Sequence, residues 1–96
     1  MSDLKARFDQ ALADSKLLPA KPDNNTLLQM YALFKQGSTG DATGERPGMM
    51  DFVGRAKYDA WAALKGKGQA EAQQAYIDLI ASLKASGYDV GLVEVA

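Results

Sequence analysis

Apolar residues recur at three- and four-residue spacing through four stretches of this chain, and each stretch is bounded by residues that start or stop helices. Leu4, Phe8, Ala11, Leu12 and Ser15 share one helical face, which predicts a first helix from Ser2 or Asp3 to Lys16 or Leu17. Pro19 and Pro22 then impose an extended connection. Leu27, Met30, Tyr31 and Phe34 fall at i, i+3, i+4 and i+7, with Leu28, Ala32 and Lys35 as a second stripe. The second helix therefore has two working faces; Asp23 or Asn24 caps it and Gly37 is its natural stop. Asp51 is placed to cap a third helix, in which Lys57, Ala60, Trp61 and Leu64 share a face and which Gly66 ends. Gly54 near its start is about 1 kcal/mol worse than alanine in a helix interior, which points to close packing against a neighbour. Ala72, Tyr76, Leu79, Ile80 and Leu83 predict a fourth helix from about Ala70 to Ser86, closing at Gly87.

Between the second and third helices, the stretch from Gly37 to Met50 carries four glycines and a proline with no sustained period. So long a connection in a small domain is functional or crosses another element. No strand pattern competes before the last few residues. The fold expected is all-α: a four-helix bundle with one long crossover connection. Residues 1–88 are expected to form the domain and 89–96 a short tail, apolar and β-prone, that docks or frays.

At 96 residues the chain makes one small domain, burying roughly two thirds of its unfolded surface. Without cysteine there are no disulfides, thiolate metal sites or cysteine nucleophiles. The absence of histidine removes the usual zinc ligand and the usual general base. No metal site is expected. Eleven Lys+Arg against twelve Asp+Glu give a net charge of −1, which argues against nucleic acid as a partner and makes any anion site local. Met1-Ser2-Asp3-Leu4-Lys5 lacks the apolar core of a signal peptide, and no apolar run is long enough to span a bilayer. A cytoplasmic location is expected, and a monomer, since no separate interface stripe is evident.

The residues with chemical interest are few. Tyr31, Phe34 and Lys35 place two rings and an ammonium within one turn, and Lys57 sits beside Tyr58 one turn before Trp61. Each taken alone has a plain structural reading. The rings pack in a core, the lysines are solvated, and Tyr76 is helix-packing core as readily as a ligand contact. Arg46-Pro47-Gly48 reads as a rigid turn whose arginine pairs locally with Glu45 or Asp41.

Order and spacing add more than the residues do singly. The segments Tyr31-Ala32-Leu33-Phe34-Lys35-Gln36, Gly40-Asp41 with Arg46-Pro47-Gly48-Met49, Lys57 to Trp61 followed by Leu64-Lys65-Gly66, and Ala75-Tyr76-Ile77 resemble the acyl-CoA-binding protein family from Phe8 to Tyr88. The resemblance implies a four-helix carrier that binds medium- and long-chain acyl-CoA esters, with the acyl chain buried and the nucleotide across the opening. It implies no catalysis and no cofactor. Lys16, Tyr31, Lys35, Lys57 and Tyr76 then occupy ligand-contacting positions, the lysines near phosphates and the tyrosines near the adenine and pantetheine arm. Leu12, Leu27 and Leu28 match positions near the acyl end. Partners implied are the ligand itself, acyl-CoA-using enzymes met transiently, and a membrane surface.

Three departures from the family pattern bear on those roles. Phe34 replaces the usual tyrosine; its ring still stacks on adenine, but a hydroxyl worth on the order of 1 kcal/mol is lost. Tyr58 stands where tryptophan is common, and Leu12 where a small residue is common, which reshapes the groove. Two other classes compete with the carrier. An acyl-CoA hydrolase using Ser38, Asp41 or Asp51 lacks a base to activate a nucleophile. A helical protein-interaction module would use the same groove for a partner's helix, with no need of a nucleotide.

Overall fold

In the computed structural model the backbone is described for residues 2–95 and the side chains for residues 3–85. Four helices follow one another: α1 (Ser2–Ser15), α2 (Asn24–Ser38), α3 (Phe52–Ala62) and α4 (Gln69–Val95). Among the described residues there is no strand. The architecture is the expected all-α bundle.

The ends of the helices explain where sequence punctuation worked and where it did not. α2 begins as predicted: the Asp23 carboxylate accepts from the Thr26 N–H at 2.8 Å, satisfying an amide the first turn leaves open. Its other end differs. Gly37 lies buried inside α2, and the left-handed conformation that favours glycine falls instead on Gly40, at φ 95°. The Thr39 and Gly40 amides bond back to the Lys35 and Gln36 carbonyls and close the helix. Gly37 has a packing role, because a Cβ there would stand 3.0 Å from Gln73 Cγ and 3.1 Å from Phe8 Cζ. Gly37→Val is expected to destabilise the fold by about 1–3 kcal/mol through overpacking between α2 and α4. Urea denaturation reads this directly, and an unchanged midpoint would show that the seam yields.

Gly54 also has a different cause from the one expected. The Asp51 carboxylate accepts from the Gly54 N–H at 2.9 Å, and a Cβ on Gly54 would fall onto that carboxyl group. The glycine makes room for the cap of its own helix, not for a neighbouring one. α3 ends at Ala62, earlier than Gly66; a tight turn bonded from Leu64 to Trp61 and from Lys65 to Ala62 then reaches Gly66 at φ 94°. α4 continues past Gly87, where the sequence reading closes it. A glycine costs a helix only about 1 kcal/mol, and no proline follows to stop it.

Contacts between helices give their directions. Tyr31 meets Lys57 and Lys35 meets Trp61, so the pairing advances by one turn on both helices and α2 and α3 run parallel. Gly37 meets Gln73 while Phe34 meets Tyr76, so α2 and α4 are antiparallel. Arg7 meets Gln74 and Asp14 meets Lys84, so α1 and α4 are parallel. Parallel neighbours require the chain to return along the full length of α2, roughly 20 Å at 1.5 Å per residue. That return is the physical reason for the long crossover over residues 39–51. α4 packs on both α1 and α2, and α3 packs on the other side of α2.

The core lies between α1, α2 and α4. Phe8, Ala11, Tyr76 and Ile80 are buried, with Leu12, Met30, Leu33, Phe34, Ile77 and Leu83 packed around them. Burial pushes the Tyr76 phenol up from its ordinary value, with hydrogen bonding to Ser15 opposing the shift, so the group stays neutral.

Candidate binding site

The parallel arrangement brings the N-terminal turns of α2 and α3 side by side, and an apolar groove of about 400 Å³ opens between them. Leu27 and Leu28 line it from α2, and Phe52, Val53 and Ala56 from α3. Among its described lining residues, Asn24 and Lys57 supply the polar side chains. Phe52 and Val53 are 75% and 66% exposed, so the third helix presents large apolar side chains to solvent at the groove's wall. Both follow directly on the capping Asp51, whose geometry aims the first turn.

Two cations lie along the same seam. Lys57 Nζ stands 5.4 Å from the centre of the Tyr31 ring, and Lys35 Nζ stands 4.9 Å from the centre of the Trp61 ring. At exposed positions such contacts contribute about 0.5–1 kcal/mol each, enough to bias where a long flexible lysine rests. Neither lysine forms a salt bridge with a described carboxylate. The apolar groove is thus bordered by the Lys57 ammonium resting on Tyr31, with Lys35 on Trp61 one turn further along the same seam. Chemically, such a surface matches a ligand with an apolar chain and an anionic head.

The crossover is strapped to α3 and to the turn that follows it. Arg46 makes a two-point pair with Asp59, at 2.8 and 2.7 Å, rather than the local pair with Glu45 or Asp41 expected from sequence. The connection runs alongside α3, and that brings a residue distant in sequence within reach. The pair holds the Asp59 carboxyl below the usual range and raises the arginine. Tyr58 donates its hydroxyl to the Gly44 carbonyl at 3.1 Å, and Trp61 donates Nε1–H to the Gly40 carbonyl at 2.8 Å. Asp41 accepts from the Gly66 amide at 2.9 Å and from Gln36 Nε2 at 2.8 Å, and these bonds, in that order, lower its pKa. Gln36, completely buried, also donates to the Lys67 carbonyl at 2.8 Å. The Gly40-Asp41 and Arg46 motif is therefore a set of fasteners that fixes α3 beside α2.

The sequence-predicted site residues divide into two groups. Leu27, Leu28 and Lys57 come together in the groove, and Tyr31 and Lys35 lie along its seam. Phe34, Tyr76 and Leu12 are instead packed around Phe8, and Tyr76 is only 2% exposed. Lys16 is exposed just beyond the end of α1 and is not part of the groove wall. Phe52, Val53 and Ala56 were not singled out from the sequence. Their signal was an apolar pair in the first turn of α3 with a small residue one turn on, off the face that carries Trp61.

Among the described residues, no group of three or more Asp or Glu is placed to hold a metal ion, and no helix is long and apolar enough to cross a membrane.

Residues 5–80 match the family described as "Acyl CoA binding protein". The chain is 49% identical over 76 residues to acyl-CoA-binding protein homolog 1 of Caenorhabditis elegans, covering 79% of this chain and 88% of the relative. It is 48% identical over 84 residues to the acyl-CoA-binding protein homolog of Manduca sexta, covering 86% and 93%. The crystal structure of Oryza sativa acyl-CoA-binding protein 2 is similar to it with a TM-score of 0.86 at 34% identity, covering 90% of this chain and 96% of that one.

Proposed function

The chain belongs to the acyl-CoA-binding protein family, and we propose that it is a non-covalent carrier of medium- and long-chain fatty acyl-CoA esters. The observation that carries this reading is the apolar groove with Lys57 at its border, resting on Tyr31. The acyl chain lies against Leu27 and Leu28, and Lys57 and Lys35 meet the phosphates of the nucleotide, with Tyr31 as an aromatic surface between them. Phe34, Tyr76 and Leu12 serve by holding α2 against α1 and α4. Burying the thioester's chain limits its partitioning into membranes and keeps it available to enzymes that use acyl-CoA. The role is binding, and no bond is made or broken by the protein.

Titration calorimetry with palmitoyl-CoA below its micelle concentration tests this, run beside free CoA and palmitate. One-to-one binding of the ester, far tighter than either fragment, is the expected result. Lys57→Ala is expected to weaken ester binding about tenfold, because a hydrogen-bonded charge contact is lost. Part of the loss should vanish as salt screens the phosphates. Equal affinity of the variant at low salt would remove Lys57 from the phosphate-binding role.

A further inference from the structure

A second groove, of about 480 Å³, lies along the same α2–α3 seam, and Leu28 lines both. α3 contributes Ala56 to the first groove and Ala60 to the second, one turn apart. Ala32, Leu33 and Leu64 complete the apolar lining of the second, with Asn25 and Gln29 at its edge. On α2, Leu27 and Leu28 are separated by about 100° of helix rotation, so Leu27 faces the first groove alone while Leu28 stands on the divide. The short alanine side chains on α3 leave the Leu28 isobutyl group as the bulk between two apolar spaces.

We infer that Leu28 sets the upper limit of acyl chain length, closing the first groove against the second. This rests on the carrier reading above, and it goes further by naming one residue as the determinant of ligand length. A chain that fills the first groove meets Leu28, and further methylenes remain in water. Each methylene buried raises affinity by about fourfold, so the native protein should gain steadily along a series of saturated acyl-CoA esters and then level off. With Leu28 cut back to alanine, the spaces merge and the chain has an apolar path past Ala56 toward Ala60.

The experiment measures affinities of the native protein, Leu28→Ala, Ala60→Leu and the double variant for the esters from octanoyl-CoA to docosanoyl-CoA, each below its micelle concentration. Leu28→Ala should move the levelling-off point to longer esters. The gain for two further methylenes should be about fifteenfold relative to the native protein. Ala60→Leu alone should leave the native profile unchanged, and in the double variant it should cancel the extension by filling the second groove. If Leu28→Ala weakens every ester by the same factor with the levelling-off point unmoved, Leu28 is not the determinant. A profile shortened by Ala60→Leu alone would also overturn the inference, because the native ligand would then already occupy the second groove. Absence of ester binding by the native protein at every length would overturn the carrier reading itself. Thermal melts of the four proteins exclude misfolding as the source of any difference.

Discussion

Phe8→Ala is expected to lower the unfolding free energy by about 3–5 kcal/mol, the range for removing a buried phenylalanine. The ring is 4% exposed and is the meeting point of three helices. It stacks on Phe34 of α2 with centres 5.7 Å apart, and meets Tyr76 of α4 edge-on at 5.4 Å. Phe34 and Tyr76 also touch each other, at 6.1 Å. Such pairs contribute about 0.5–1.5 kcal/mol each beyond the area they bury, so losing Phe8 removes both an apolar volume and two of three ring contacts. Small domains have only about 5–15 kcal/mol of stability, and the loss would take a large share of it. Phe8→Leu keeps most of the volume and should lose clearly less. Urea denaturation followed by far-UV circular dichroism gives both numbers. A loss under about 1 kcal/mol for the alanine variant would mean that α1 contributes little to the cooperative unit.

Trp61→Ala should have a comparable effect, again about 3–5 kcal/mol, for a different reason. Trp61 is 7% exposed, but its neighbours are the crossover and the cationic seam rather than the main core. Its Nε1–H holds the Gly40 carbonyl, its face supports Lys35, and Tyr58 packs against it edge-on at 6.3 Å. Truncation removes the loop's anchor together with the ring. Trp61→Phe separates the two contributions, since it keeps an aromatic body and loses only the hydrogen bond, at a cost of about 1 kcal/mol plus the packing difference. Amide exchange should quicken first in the segment around Gly40 to Arg46, ahead of α1 and α4. If the phenylalanine variant leaves those amides as protected as before, the hydrogen bond is not what fastens the crossover.

Helix existence and the inward faces were legible from the chain because they depend on local spacing. Phe8, Ala11, Tyr76 and Ile80 are buried where their three- and four-residue periodicity puts them. Asp23 and Asp51 cap their helices because a short carboxylate reaches an amide three residues on, whatever the rest of the molecule does. The family pattern likewise drew attention to Leu27, Leu28, Tyr31, Lys35 and Lys57, which the fold aligns along a single seam.

Glycine was the weak point of local reasoning. The same residue type ends a helix at Gly40, admits a neighbouring helix at Gly37 and makes room for a capping carboxylate at Gly54. Sequence alone does not distinguish a glycine needed for its backbone angles from one needed for its missing Cβ. Arg46 shows the same limit for charge, since its partner Asp59 is distant in sequence and becomes a neighbour only when the crossover lies along α3.

What the sequence by itself determined, then, is the set of helices, the aspartate caps that start α2 and α3, and the apolar faces they must bury, all of which follow from contacts within about one turn. Which pairs of helices run parallel, and hence that Leu28 stands between two grooves and that Tyr76 is buried beside Phe8, was decided only by the tertiary structure. Those features depend on the relative direction and rotation of whole helices, which arise from packing between residues far apart along the chain.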